Sequence, residues 1–119
     1  MTWNISGSRS WIEANPQRVK KFLMAIVKAN RFIAEKPGEA LAISSKYIGS
    51  DSPLLKKEWP DYNFVVKLDQ SLILTLEDQA RWMIKNSGGR NKKLPDFLNL
   101  IYSSGLKAAQ PEMISITGK

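Results

Sequence analysis

The chain contains no histidine and no cysteine, so a search for catalytic chemistry starts from its 11 acidic residues. Thiolate zinc sites, cysteine nucleophiles, histidine general bases and a Ser-His-Asp triad all need residues that are absent here. Glu77 and Asp78 are adjacent carboxylates, but neighbouring residues on a helix point in different directions, and Glu77 is spaced for an ion pair with Arg81. We therefore predict no enzyme activity, no catalytic residues, no metal site and no cofactor.

The other polar candidates are better explained by local structure than by ligand binding. Ser6–Ser10 could form an anion-binding turn, but it lacks the glycine spacing of the known nucleotide loops, and a polar connector is the preferred interpretation. Ser87–Arg90 is typical of a helix C-cap. Four aspartates lie at turns or helix starts, where capping explains them without catalysis: Asp51, Asp61, Asp69 and Asp96.

Large side chains offer a second class of candidate. We expect Trp59 and Trp82 to pack in or beside the core, and Gln79 to face inward with a hydrogen bond to a loop backbone. Trp3 and Trp11 precede the first strong helix. They either fasten that helix to the domain or face something outside this chain.

Length and charge limit the remaining options. The 119 residues are enough for one small domain, and the 43% hydrophobic content is that of a globular protein. The net charge of +7 is spread along the chain, which favours a solvated basic surface over a nucleic-acid site. No apolar segment is long enough for a membrane helix, and the N-terminus has no signal-peptide pattern.

Hydrophobic periodicity predicts the elements that position these residues. Three- and four-residue spacing indicates helices over 16–35 and 37–48, ended by Pro37 and Gly49. A short helix is expected from Leu54 to Trp59, a long one from Asp69 to about Asn86, and another over 104–109. Asn15 is the predicted N-cap of the first of these helices.

Residues 62–68 have a different period. Tyr62, Phe64, Val66 and Leu68 alternate with other residues, which predicts a β-strand. One strand cannot satisfy its own backbone hydrogen bonds, so it must pair with the weak segment Met113–Thr117, with another copy, or with a sheet outside these residues. The predicted fold class is mainly α with one or two short strands.

The ordered series of motifs resembles the C-terminal region of ABC-transporter solute-binding proteins of the sulfonate, nitrate, taurine and thiamine-precursor type. It covers roughly residues 10–117. The helix motifs that carry it are Trp11-x-Glu13-x-Asn15-Pro16, Ala25-Ile26-x-Lys28-Ala29 and Glu35-x-Pro37-x-Glu39-Ala40. The segments YNFVVKLDQSLILTLEDQARWMIKN and LPDFLNLIYSSGLKAAQPEMISI continue the series.

The resemblance implies a type 2 periplasmic-binding fold, in which two α/β lobes close on a small solute and deliver it to a membrane permease. The chain would be a single C-terminal fragment, with residues 1–14 as an N-terminal connector and 15–117 as the helical C-terminal region. Its expected partners are the N-terminal lobes of the same protein, an ABC permease and a small-molecule ligand, and not nucleic acid. The expected location is periplasmic, or lipid-anchored outside the cytoplasm.

Most cleft residues in such proteins come from the lobes that this chain lacks, so the resemblance assigns no ligand contact to any residue here. It also implies that the isolated chain exposes apolar surface and self-associates. The alternative is a small basic helical module that binds nucleic acid or a protein partner.

Overall fold

The computed structural model describes residues 3–49, 53–86 and 93–117. Of these residues, 72% are helical and 2% are in β-structure, which confirms the prediction of a mainly helical chain. The chain divides into two compact units, the first unit being Met1–Val66 and the second unit Lys67–Lys119.

The first unit is built from helices joined by very short connections. Their bounds are α1 Arg9–Ala14, α2 Pro16–Glu35, α3 Pro37–Ile48 and α4 Pro53–Glu58, followed by a 3₁₀ turn at Trp59–Asp61. Helix α2 contacts both α1 and α3. The bounds predicted for α2 and α3 are confirmed, whereas α1 lies within the segment predicted as a connector.

Proline and glycine explain the bounds of α2 and α3. Pro16 and Pro37 each stand at the first position of a helix, where the missing N–H costs no hydrogen bond. Gly49 ends α3 in the left-handed conformation, with φ of 69°, and its N–H donates to the Ser45 carbonyl. Asn15 occupies the predicted N-cap position of α2, but its side chain makes no capping hydrogen bond and instead donates to the Trp11 carbonyl at 2.9 Å.

The strand predicted over Tyr62–Leu68 does not form, apart from its last residue. The Val65 N–H donates to the Asn63 carbonyl at 3.1 Å, a bond across two residues that bends the chain out of an extended conformation. Phe64 packs against the rings of Trp59 and Tyr62, at centroid distances of 4.9 and 5.8 Å. Tyr62 and Phe64, two of the alternating residues from which a strand is predicted, therefore pack in an aromatic cluster instead.

The second unit centres on helix α5 (Gln70–Asn86), followed by α6 (Ser104–Ala109) and 3₁₀ turns at Leu98–Leu100 and Pro111–Met113. Leu68 forms an isolated parallel bridge with Ile114. Its N–H donates to the Met113 carbonyl, and its carbonyl accepts from the Ser115 N–H, both at 2.9 Å. The terminal segment Met113–Thr117 is thus the pairing partner of Leu68, one of the alternatives that the sequence left open.

The buried apolar core is small in the part of the chain that the structure describes. Its members there are Ala40, Ile73 and Leu106. No side chain of α2 is fully buried, and Phe22 is 50% exposed. The helices therefore carry apolar faces that the described residues of this chain do not cover.

Candidate functional site

The adjacent carboxylates of half-buried Glu77 and exposed Asp78 bind one guanidinium on α5. Arg81 donates through Nη2 to Glu77 and through Nη1 to Asp78, each at 2.8 Å. The predicted pair of Glu77 with Arg81 is confirmed, and Asp78 joins it. Because both carboxylates are neutralised by Arg81 of the same helix, the cluster is an intrahelical ion-pair network.

Asp69 caps α5 as predicted. Its Oδ1 accepts hydrogen bonds from the Ser71 hydroxyl and, at 3.3 Å, from the Leu72 N–H, while Lys67 binds its other oxygen. The hydrogen bond from Lys67, followed by that from Ser71, lowers the pKa of this carboxyl from 3.8 to about 2. Asp69 therefore remains an anion at the positive end of a helix, which is a structural role.

We expect the Lys67→Gln substitution to raise the pKa of Asp69 from about 2 toward its ordinary value of 3.8. A carboxyl whose pKa is lower in the folded state contributes stability above its unfolded pKa and loses it as pH falls. In the unsubstituted chain, this stability is lost as the pH falls from about 3.8 to about 2. NMR titration of the Asp69 carboxyl checks the shift, with Lys85→Gln as control. An unchanged pKa in Lys67→Gln would contradict the assignment.

The remaining aspartate predictions have mixed outcomes. Asp96 accepts hydrogen bonds from the Asn99 backbone at 3.4 Å and from its side chain at 2.7 Å, as a turn residue does. Asp61 ends the 3₁₀ turn after α4 and is exposed. Asp51 and Ser87–Arg90 lie outside the described residues.

The N-terminal candidates are exposed. Ser8 is the N-cap of the six-residue helix α1, and its carbonyl accepts the Ile12 N–H at 3.1 Å. Trp3 is 84% exposed and Trp11 is 49% exposed. Trp3 therefore does not fasten α2 to the domain, and the interpretation that it faces something outside this chain is the one that its exposure favours.

Within ranges 3–49, 53–86 and 93–117, no three His, Cys, Asp or Glu side chains lie close enough to hold a metal ion. In those ranges, too, none of the helices combines the length and the hydropathy that a membrane span requires.

Exposed apolar side chains are the main feature of the first unit. Tyr47, at 85%, is more exposed than any other large apolar side chain described, and Trp3 is almost equal to it. Ile48, the residue after Tyr47 on α3, is also exposed. The large apolar side chains exposed on this unit are Trp3, Ile5, Trp11, Phe22, Met24, Ile43, Tyr47, Ile48, Leu54, Tyr62 and Val65.

A second exposed apolar surface lies on α5 and corrects the predictions for Trp82 and Gln79. Trp82 is 67% exposed, Met83 is 61% exposed, and Gln79 is exposed rather than facing inward. Together with Asp78, these side chains line a shallow depression of about 450 Å³. Leu74 is 54% exposed and belongs to the same helix, although the sequence reasoning did not identify it as a surface residue. The signal that could have identified it is an apolar residue lying off the helix face that carries Leu72 and Leu76.

A smaller depression of about 230 Å³ lies on α2, lined by Lys21, Met24, Ala25 and Lys28. Its lining combines two cationic side chains with two apolar ones. Arg18 and Lys21 are exposed on the same helix, and Lys20 is half-buried. The cationic side chains of α2 therefore lie beside apolar ones, and this surface combines basic and apolar character.

Comparison of the chain with protein-family models, curated proteins and solved structures finds no match. The function must therefore be argued from the surfaces described above and from the sequence motifs.

Proposed function

We propose that the chain is the C-terminal part of an extracytoplasmic solute-binding protein, which captures a small solute and delivers it to an ABC permease. The solute class is a sulfonate, nitrate, taurine or a pyrimidine-like compound. The role is binding without catalysis. Two lobes close around the solute, and a ligand that favours the closed form shifts the population toward the form that docks on the permease.

The observation that carries the proposal is the uncovered apolar surface of the first unit. Ala40 is the one buried apolar residue among those described there, while Trp3, Tyr47 and Ile48 are between 65% and 85% exposed. Ordering a residue costs about 1–2 kcal/mol of backbone entropy, which apolar burial must offset. A unit that buries so little within itself needs apolar cover from another lobe.

Helix positions give further support. Helix α2 begins at Pro16 and α3 at Pro37, which are the positions where the motifs of the resembled proteins start their helices. Glu39 lies in the first turn of α3, where a carboxylate complements the helix dipole. These helix starts support the proposal.

The decisive experiment extends the chain. The complete reading frame that contains these residues is expressed, and solutes of the four classes are tested by thermal shift. We expect one class to raise the melting temperature, because a ligand that binds only the native state stabilises it. A complete frame without additional α/β lobes, or a two-lobed protein that none of the four classes stabilises, would refute the proposal.

A matched pair of variants tests the covering lobe directly. In the complete protein, Tyr47→Ser is expected to lower the free energy of unfolding by about 1.5–3 kcal/mol, the value for a fully buried apolar side chain. In the isolated chain, where Tyr47 is 85% exposed, the same change should have little effect. Lys46→Ser, at the adjacent exposed position, is the control in both proteins. An equal loss of stability from Tyr47→Ser in the complete protein and in the isolated chain would count against a covering lobe.

The cationic face of α2 favours a second candidate, a basic interaction module. Lys21 and Lys28 flank Met24 and Ala25 on that face. Binding to duplex nucleic acid would then weaken steeply with salt, because neutralised phosphates release counterions. Flat titrations at low salt would eliminate the nucleic-acid form of this candidate.

A further inference from the structure

The solvent-facing side of α2 carries four cations that have no carboxylate partner. Arg18, Lys21, Lys28 and Arg31 are all exposed, and their spacing of three, seven and three residues places them on one side of the helix. Among the described residues, no Asp or Glu forms an ion pair with any of the four. These residues form the α2 cation row, which extends over about 20 Å at 1.5 Å per residue.

The carboxylates of the neighbouring helices do not neutralise this row. Helix α2 contacts α1 and α3, but Glu13 of α1 and Glu39 of α3 each pair with a basic residue close to them in the sequence. Glu35, at the end of α2, is the one acidic residue of that helix. Residues 9–48 carry eight basic and three acidic residues, so they hold five of the seven net positive charges of the chain. The surface around the row is therefore strongly cationic.

Exposed apolar side chains accompany the row. Met24 lies between Lys21 and Lys28 along the helix and is 41% exposed, and the nearby Phe22 is 50% exposed. The phosphates of a nucleic acid would match the cations, but a phosphate backbone has no apolar layer to match Met24. The surface of an anionic bilayer has both, because charged headgroups lie directly above the acyl chains. The combination of charges and apolar groups thus favours a membrane surface over a nucleic acid.

The row is also unsuited to the covering lobe that the solute-binding proposal requires. Burying unpaired cations against an apolar surface is strongly unfavourable. A lobe that covers Tyr47 and Ile48 must therefore leave the α2 cation row in water or against another charged surface. An anionic membrane is such a surface, and docking on it goes beyond capture of a solute.

We infer that the α2 cation row docks on an anionic lipid bilayer. Helix α2 lies parallel to the membrane plane, with its four cations among the headgroups and Met24 at the boundary with the acyl chains. Each cation close to an anionic membrane strengthens binding by roughly fivefold, and salt screens the attraction. The contact is therefore peripheral, reversible and dependent on anionic lipid.

Co-sedimentation of the 119-residue chain with lipid vesicles tests the inference. We expect binding to vesicles of phosphatidylcholine that contain phosphatidylglycerol, and much weaker binding to phosphatidylcholine alone. The double variant Lys21→Gln/Lys28→Gln should weaken the binding by about thirtyfold, the factor for two cations. The control, Lys56→Gln/Lys57→Gln, removes the same charge from exposed positions of α4 and should cause a much smaller loss. Equal losses in the two double variants, or equal binding to the two kinds of vesicle, would overturn the inference.

Met24→Ser distinguishes a membrane from a nucleic acid. We expect it to weaken vesicle binding by about three- to tenfold, because part of an apolar side chain is no longer buried in the bilayer. Ile43→Ser, at an exposed apolar position of α3, is the control and should leave binding unchanged. If Met24→Ser has no effect and the two lysines instead bind duplex DNA more tightly than vesicles, the inference fails. The solute-binding proposal is unaffected by that outcome, because it depends on a covering lobe and not on this face.

Discussion

Replacement of Ile73 by alanine is expected to lower the free energy of unfolding by about 2–5 kcal/mol. Ile73 is 3% exposed and is the one fully buried residue of α5. Removing three of its side-chain carbons loses transfer free energy and leaves a cavity that its neighbours fill only in part. Urea unfolding followed by circular dichroism gives the change.

Leu74→Ala is the matched control for Ile73→Ala. Leu74 is the next residue of the same helix and is 54% exposed, so the substitution removes little buried surface. Its effect should stay within about 0.5 kcal/mol when measured at low protein concentration. Similar losses for the two variants would mean that α5 is not buried through the face that carries Ile73.

The second large effect is expected for Ala40→Asp, at about 3–5 kcal/mol of lost stability. Ala40 lies on α3, is 4% exposed, and is the buried apolar residue of the first unit among those described. A carboxylate there must either lose its hydration without a partner or force α3 away from its neighbours. Urea unfolding at pH 7 measures the loss.

Ala42→Asp is the control for Ala40→Asp, since Ala42 is exposed two residues further along α3. It repeats the change of charge and of helix propensity without burial, and we expect a loss of less than about 1 kcal/mol. Recovery of stability by Ala40→Asp at acidic pH, where the carboxyl is protonated, would strengthen the interpretation. An equal loss in both variants would contradict it.

The predicted parts of the fold are those with local causes. The start of α2 at Pro16 and of α3 at Pro37, and the end of α3 at Gly49, follow from the φ preferences of proline and glycine. The cap of α5 by Asp69 and the ion pair of Glu77 with Arg81 depend on residues within four positions of each other. Such interactions can be predicted from spacing alone.

The failed predictions concern how side chains pack, which neither alternation nor helical periodicity determines. The alternation over 62–68 is equally compatible with a strand and with the aromatic cluster of Trp59, Tyr62 and Phe64 that the structure forms. The sequence pattern predicts Trp82 in or beside the core and Gln79 facing inward, yet both are exposed. Periodicity identifies which residues share a helix face, but not whether anything covers that face.

By itself, the sequence determined the helical class, the bounds of the long helices, the absence of histidine and cysteine chemistry, and the motif order on which the solute-binding proposal rests. Only the tertiary structure decided that Leu68 pairs with Ile114, that Ala40, Ile73 and Leu106 are buried, and that Tyr47 and Trp82 are exposed. The physical reason is the distance along the chain over which each interaction acts. Backbone preferences, caps and ion pairs within a helix act over a few residues, whereas burial depends on every surface that the folded chain brings together.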